Sequence, residues 1–469
     1  MGVKCVKVII SNEITITEAT QEILDWCKRE LVLPNPEYAK KERMGLWVDN
    51  TPRTLSLYKI NGNSVIIPIG AFKMIKPILN TYDVEYEQKM ANNEPIEYNA
   101  EVNLYDYQEK AVEQMLKAGY GILKSPAGSG KTQMGIALAV KLGKKCLWLT
   151  HTQDLLKQSY DRASQYIDKS LLGTITAGKV NIGSGITFAT VQTLAKQDLT
   201  QYKYMWDVVI TDECHRIAGS PTVMTQFSKV LSNLACLHKY GLSATVHRAD
   251  GMIKCAYMLT GDIKYIVPDE AVKDKVMAVN IERVDTGIDI PMSALDTDGI
   301  VNYTKLISSL AMSTRRNDII YDKLMEHSAH YNLILSDRLD QLYYLYNQLP
   351  PTLKEQSAVI DGNMTSKKAK AEREQAIEDM RTGKKHFLFA SYKLAKEGLD
   401  IPRLDRLHLA TPQKDYAIIV QSVGRIARTF RGKEQPICLD YVDDFRKAEN
   451  MYETRCRHYR KCGCVLNGM

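Results

Sequence analysis

The sequence predicts an α/β protein with two tandem lobes, each a parallel sheet covered by helices, behind a small α+β module. Three observations predict it. Apolar strand-like runs (GILKS, CLWLTH, GITFATV, DVVITDE, KYGLSAT) alternate with helical segments such as KTQMGIALAVKLG and QDLLKQSYDRASQYI. After a less regular stretch from about 250 to 315, the alternation resumes with NLILSD, SAVIDG, KHFLFAS, RLHLATP and PICLDYV. The first of these runs also opens directly into the glycine-containing SPAGSGKT and then a helix. Alternation of this kind implies βαβ units and a parallel sheet.

Length and composition set the frame. At 469 residues the chain exceeds what one hydrophobic core supports, and about three domains are expected. Hydrophobic content of 45% and charged content of 25% are those of a soluble globular protein. No apolar run approaches the roughly 18–20 residues needed to span a bilayer, which argues against a membrane protein. The start, MGVKCVKVIISNE, is too short in its apolar run for a signal sequence, so a cytoplasmic protein is expected, in the host cytoplasm if a phage encodes it. Ten scattered cysteines favour reduced thiols without disulfides. The net charge of +7 is compatible with a polyanionic partner but spread too thinly to identify one.

Residues 1–98 carry strand-like stretches (VKVIIS, TLSLYKI, SVIIPIG) around one amphipathic helical stretch, TEATQEILDWCKREL, and form an accessory module. YDVEYEQKMANNEPIEYNAEVN reads as a linker, because charges, Asn-Asn and Pro interrupt any apolar period. The first lobe is assigned to 99–285, a connector to 286–315, the second lobe to 316–450 and a basic, cysteine-containing tail to 451–469.

The phosphate-binding reading rests on Ser125, Pro126, Ala127, Gly128, Ser129, Gly130, Lys131 and Thr132 between a strand and a helix. Glycines let the backbone wrap an anion, and exposed amides at a helix N-terminus attract it. Lys131 would reach the β and γ phosphates and Thr132 would offer its hydroxyl to magnesium; Ser125 stands where the strict pattern has glycine. Farther on, VVITDECHRI ends a buried strand at Asp212, at the carboxyl edge of the sheet where α/β folds place ligands. Alternation along an extended strand sends Asp212 and Glu213 in different directions, so one carboxylate would hold hydrated Mg2+ and the other polarise water. A zinc cage would need further ligands, and adjacent Cys214 and His215 rarely face each other as a nucleophile–base pair. Cys214 is expected to be buried; His215 is either a coupling residue or an ordinary polar residue at a lobe boundary.

Taken together these residues resemble the superfamily 2 helicases of the DExH kind, over about 102–445, here with Asp-Glu-Cys-His. YDYQEKAV looks like the segment that presents Gln108 to the adenine of ATP, with Tyr105 where Arg is common. LTHTQDLLKQ and FATVQTL resemble motifs that touch the nucleic-acid backbone, with Thr150, Thr190 and Gln192 as candidates. GLSATVHRADG resembles the coupling motif at Ser243, Ala244 and Thr245, followed by Arg248, Asp250 and Gly251 as in the XPB, UvsW and restriction-translocase branch. NLILSDRLDQLYYL and ASYKLAKEGLDIP resemble the fourth and fifth motifs, the latter with Glu397, Gly398 and Asp400. QSVGRIAR resembles the sixth, with Gln421, Arg425 and Arg428. The resemblance implies two RecA-like P-loop lobes, ATP and Mg2+ as cofactors, and a nucleic-acid partner, DNA rather than RNA. It implies an ATP-dependent, 3′-to-5′ DNA helicase or translocase.

Positions 425 and 428 are three apart on one predicted helix, so both guanidiniums would share a face and could approach the γ-phosphate. Hydrolysis would then require a cleft to close between lobes. A duplex translocase without net unwinding, an RNA helicase and a nucleotide-gated binding module remain rival readings, and a monomer is expected. The segment NPEYAKKERMGLWVDNTPR is a candidate DNA-structure reader, although residues 1–98 hold 12 basic against 13 acidic side chains. In RCRHYRKCGC the spacing of Cys456, His458, Cys462 and Cys464 is not that of paired zinc ligands. Its basic residues, Arg455 among them, would touch phosphates or solvate a helix.

Overall fold

The computed structural model describes residues 5–126, 128–217, 225–246, 251–295, 299–361, 366–396 and 399–466. Ala127, Arg248, Asp250, Glu397 and Gly398 lie outside the described residues. The described residues form three main sheets and a two-stranded one, and the chain divides into two compact units, 1–126 with 130–268, and 127–129 with 269–469.

The N-terminal sheet runs Lys59–Asn61, Ser64–Pro68, Glu13–Ile16, Cys5–Ile10, Asp83–Gln88. Its core is set by alternation: Val6, Val8, Ile14, Ile16, Val65 and Ile67 face inward and are at most 1% exposed. The helix Gln21–Glu30 buries Ile23, Trp26 and Cys27 against it. The segment expected as a linker is a strand in its first part. Asp83–Gln88 pairs in parallel with Cys5–Ile10, setting Lys7 opposite Glu85 and within 3.1 Å of Glu87. It escapes the apolar alternation because it is an edge strand, where charged side chains guard unpaired backbone groups. The chain then crosses the first lobe by specific bonds: Ala91 N–H donates to Ala235 O, Ile96 N–H to Gly143 O, and Tyr98 Oη to Lys144 O, at 2.7–2.8 Å.

The first lobe's sheet has the order Lys179–Asn181, Leu172–Thr176, Ile186–Thr190, Cys146–Thr150, Val208–Asp212, His238–Ser243, Gly121–Lys124, Ile263–Ile266. All pairs are parallel except the first. Strands buried on both faces explain the continuous apolar runs. The helix Lys131–Leu142 lies close to this sheet because Gly135 has no side chain. A Cβ there would fall 2.6 Å from the Trp148 ring and 2.8 Å from Leu242.

The second lobe's sheet is parallel throughout, in the order Ser357–Ile360, Phe387–Ser391, Asn332–Ser336, Arg406–Leu409, Ile437–Val442, Asn280–Asp285, Val465–Leu466. The strand Asn280–Asp285 was expected in the first lobe, yet pairs residue for residue with Ile437–Val442. Its partner lies far along the chain, so local pattern could not assign it. The expected connector contains the helix Tyr303–Met312, and the tail belongs to the lobe through the helix Arg446–Lys461.

Arg455 corrects the reading of the tail. It is 1% exposed, and its Nε and Nη2 each lie 2.7 Å from one Asp440 carboxylate oxygen, with Tyr459 Oη donating to the same group. Cys456 packs into the lobe's core and Cys464 against it. Removing one partner of a buried pair strands the other charge, so Arg455→Ala should cost about 3–5 kcal/mol. Urea unfolding of the full chain checks this, and Arg455→Met combined with Asp440→Leu should recover most of the loss.

Candidate functional site

Three adjacent parallel strands of the first lobe deliver the candidate residues to one edge. Gly121–Lys124 leads into the phosphate-loop sequence, His238–Ser243 ends at the Ser-Ala-Thr segment, and Val208–Asp212 ends at the acidic pair. Register aligns Ser243 with Lys124 and Leu242 with Asp212. Ser125 is fully buried and its N–H donates to Ser243 O at 3.0 Å, fastening the start of the loop to the neighbouring strand end.

The loop's glycines are used for their backbone. Gly128 and Gly130 have φ of +81° and +78°, and Gly130 caps the helix that begins with Lys131 and Thr132. Gln108, only 4% exposed, packs onto this turn: a Cβ at Gly130 would lie 2.4 Å from its Nε2. Its Oε1 accepts the Tyr105 N–H at 2.9 Å, so one end of this amide holds its own helix start while the other meets the loop.

At the acidic motif the strand stops abruptly. Glu213 adopts φ +51°, ψ +48°, a left-handed conformation uncommon for a residue with a side chain. Its N–H donates to Asp212 Oδ1 at 3.0 Å, and a short 3₁₀ turn, Cys214–Arg216, follows. The turn buries Cys214 completely beneath Gly241, where a Cβ would fall 2.7 Å from its Sγ.

The turn also brings His215 back toward Glu213. His215 Nδ1 lies 3.1 Å from Glu213 Oε2 and 2.9 Å from Ser243 Oγ. Ser243 donates its own proton to Thr245 O at 2.7 Å and accepts the Thr245 N–H at 3.2 Å. Since an ionised carboxylate can only accept, Nδ1 is the protonated nitrogen, an assignment made from the network. Close polar contacts therefore run from Glu213 to His215, and hydrogen bonds continue through Ser243 to Thr245. Ala244 and Thr245 are buried.

The two carboxyls are electrostatically distinct. Burial and the neighbouring Glu213 charge push Asp212 up to about 7, although Lys131 opposes them. At Glu213 burial acts the same way but is outweighed by the His215 hydrogen bond and the Lys131 and His151 charges, which hold the carboxyl down at about 2. His151 was not singled out from the sequence, since nothing local distinguishes it; Gln192 Nε2 donates to its carbonyl at 2.6 Å.

Thr150 and Thr190 end neighbouring strands and pair directly. Both are buried, with Thr150 Oγ1 donating to Thr152 O at 3.2 Å and Thr190 Oγ1 to Thr193 Oγ1 at 2.9 Å, whereas Gln192 is exposed. In the second lobe, Asp400 forms an ion pair with Arg428, and Arg425 Nη1 donates to Leu399 O at 2.9 Å. Gln421 is buried in the helix Tyr416–Ile426. Arg428 lies beyond that helix, contrary to expectation. A β-bridge to Val276 and a bond from Met277 N–H to Ala427 O extend the backbone there. The two arginines thus gather on the Leu399–Asp400 segment from different elements.

Fold and site together define a P-loop nucleotide hydrolase with two tandem α/β lobes. Residues 101–248 match the family model of the type III restriction enzyme res subunit, and 315–430 match the helicase conserved C-terminal domain. The chain is 28% identical over 419 residues to the putative ATP-dependent RNA helicase L396 of Acanthamoeba polyphaga mimivirus, covering 87% of this chain and 74% of that one. It is 25% identical to the DNA 3'-5' helicase XPB of Mycobacterium tuberculosis, covering 64% of this chain and 53% of that one, about half of the relative's length. Among solved structures, S. cerevisiae Dbp5 bound to RNA and ADP BeF3 shares the fold, with a TM-score of 0.55 at 16% identity over 77% of this chain and 89% of that one. The chain belongs to the superfamily 2 helicases, near the branch that holds XPB and the restriction enzymes, and is an ATP-hydrolysing helicase. No helix among the described residues is long and apolar enough to cross a membrane.

Gly130→Ala should weaken nucleotide binding by more than about tenfold, because a Cβ meets Gln108 and the left-handed backbone resists a side chain. Adding Gln108→Ala removes the collision but not the backbone strain, so recovery should be partial. Titration with a fluorescent ATP analogue reads both.

Proposed function

We propose that the protein is a DNA motor, an ATP-dependent 3′-to-5′ helicase or translocase that remodels branched or single-stranded DNA. The observation that supports it best is the single sheet edge that carries the phosphate-loop turn, the Asp212–Glu213 pair and the Ser243 link. The XPB relative's name supports DNA and the polarity; the mimivirus relative's name favours RNA, which is the second reading.

The donor set fits Mg2+-ATP. A helix N-terminus preceded by two left-handed glycines suits phosphates, and a buried carboxyl driven up to about 7 is one whose charge a divalent cation would neutralise. Thr132 and Asp212 would hold the metal and Lys131 the phosphates, with Gln108 beside the loop. The bound metal supplies Lewis-acid stabilisation of phosphate charge. Glu213, kept in its charged form by His215 and Lys131, would accept a proton from the attacking water, and its contact with His215 would orient it. Arg425 and Arg428 are the candidate partners of the γ-phosphate, and Arg428 is paired with Asp400. Residues 1–98 act as an accessory module, and a monomer in the cytoplasm, or the host cytoplasm for a phage protein, completes the proposal.

Glu213→Gln should bind ATP normally while DNA-stimulated hydrolysis falls by about a hundredfold or more. Undiminished turnover defeats the assignment of Glu213. Measuring ATPase rate with single-stranded, duplex and forked DNA and with RNA decides the track: stimulation by RNA well above that by any DNA overturns the DNA reading. Unwinding of forks against annealing of complementary strands then separates a helicase from a duplex translocase.

A further inference from the structure

Three of the four tryptophans, Trp26, Trp148 and Trp206, are at most 4% exposed, but Trp47 is 78% exposed. It stands with Met44 and Leu46, also more than half exposed, on the loop after the helix Pro36–Arg43.

The loop is fastened at both ends. Asn35 is buried; its Oδ1 accepts the Glu37 N–H, its Nδ2 donates to Pro52 O at 2.7 Å, and its N–H donates to Arg53 O. Lys41 Nζ reaches Thr51 Oγ1 at 2.7 Å, and Leu46 N–H closes onto Lys41 O. An apolar tip on so tied a base is displayed, since a loop seeking burial would need freedom to fold back.

The module that carries the loop is joined firmly to the motor lobe. Met252, Cys255 and Met258, at the helix Ile253–Thr260, complete the N-terminal core. A Cβ at Gly70 would fall 2.2 Å from Tyr257 O, and Lys254 Nζ donates to Glu30 O at 2.7 Å. Trp47 therefore keeps a fixed place relative to the first lobe.

The surroundings select the occupant. Lys41 lies 2.8 Å from Glu37, which leaves Lys40, Arg43 and Arg53 against Glu42 and Asp49, a slight cationic excess. Three exposed apolar side chains on one loop form a small patch, the size of a single-base contact. One indole is sufficient to stack on one base, and cations beside it attract the phosphates.

We propose that Trp47 is a stacking platform for an unpaired base of the DNA on which the motor acts, an inference that rests on the DNA-motor reading above. The test uses the full chain. Forked DNA with single-stranded arms should quench the exposed-tryptophan emission of the wild type and not of Trp47→Phe. Anisotropy of a fluorescein-labelled fork should show about tenfold weaker binding by Trp47→Ala and near-normal binding by Trp47→Phe, the weight of one stacked base. Blunt duplex should bind both proteins alike. DNA-stimulated ATPase with fork affinity and emission indifferent to Trp47 overturns this proposal alone. Equal loss on blunt duplex, or a change only in sedimentation that marks contact between copies, also overturns it. A wild-type ATPase that no DNA stimulates removes the motor reading itself.

Discussion

The lateral register of three parallel strands is the constraint on which the rest depends. Gly121–Lys124, His238–Ser243 and Val208–Asp212 are hydrogen-bonded side by side, and only in this register do the loop at Ser125, the Ser243 hydroxyl and the Asp212 carboxyl emerge together. A slip of one residue would turn every side chain to the opposite face. Val208, Val209, Ile210, Tyr240 and Leu242 are all fully enclosed, so a slip would have to repack the close-packed core around these strands. The close seat of the helix over Trp148, made possible by Gly135, holds Lys131 and Thr132 against the same edge.

From that edge follows the division of labour between two adjacent carboxylates. Neighbouring buried acids repel, and a site that kept both equivalent would hold a proton between them. The left-handed turn at Glu213 breaks the equivalence, leaving Asp212 on the strand end and folding Glu213 onto His215. The same imidazole N–H reaches Ser243, so Glu213, His215 and Ser243 are gathered at neighbouring strand ends. Helix Ile253–Thr260 follows that segment and lends its apolar face to the N-terminal core.

The second lobe shows how buried charge can serve as scaffold. Arg316 with Asp443 and Arg455 with Asp440 are both enclosed, and each guanidinium also donates to a main-chain carbonyl, Ala410 or Gln413. Such pairs position loops more than they add net stability. In sequence Arg455 sits among Arg457, Arg460 and Lys461 and looks like one more surface cation; only the tertiary structure singles it out. Asp83–Gln88 misleads in the same way, because an edge strand needs no apolar period and its partner lies at the other end of the module.

The sequence by itself determined what is encoded within a few neighbouring residues. Buried parallel strands announce themselves as apolar runs, the phosphate loop by glycines between strand and helix, and the acidic motif by its place at a strand end. The tertiary structure decided what depends on residues far apart in the chain. It paired Asn280–Asp285 with Ile437–Val442, moved Arg428 off its helix into a bridge with Val276, set Gln108 against Gly130 and buried Arg455. Periodicity records which face of an element is apolar, but the identity of the group that meets that face is a property of the packed chain.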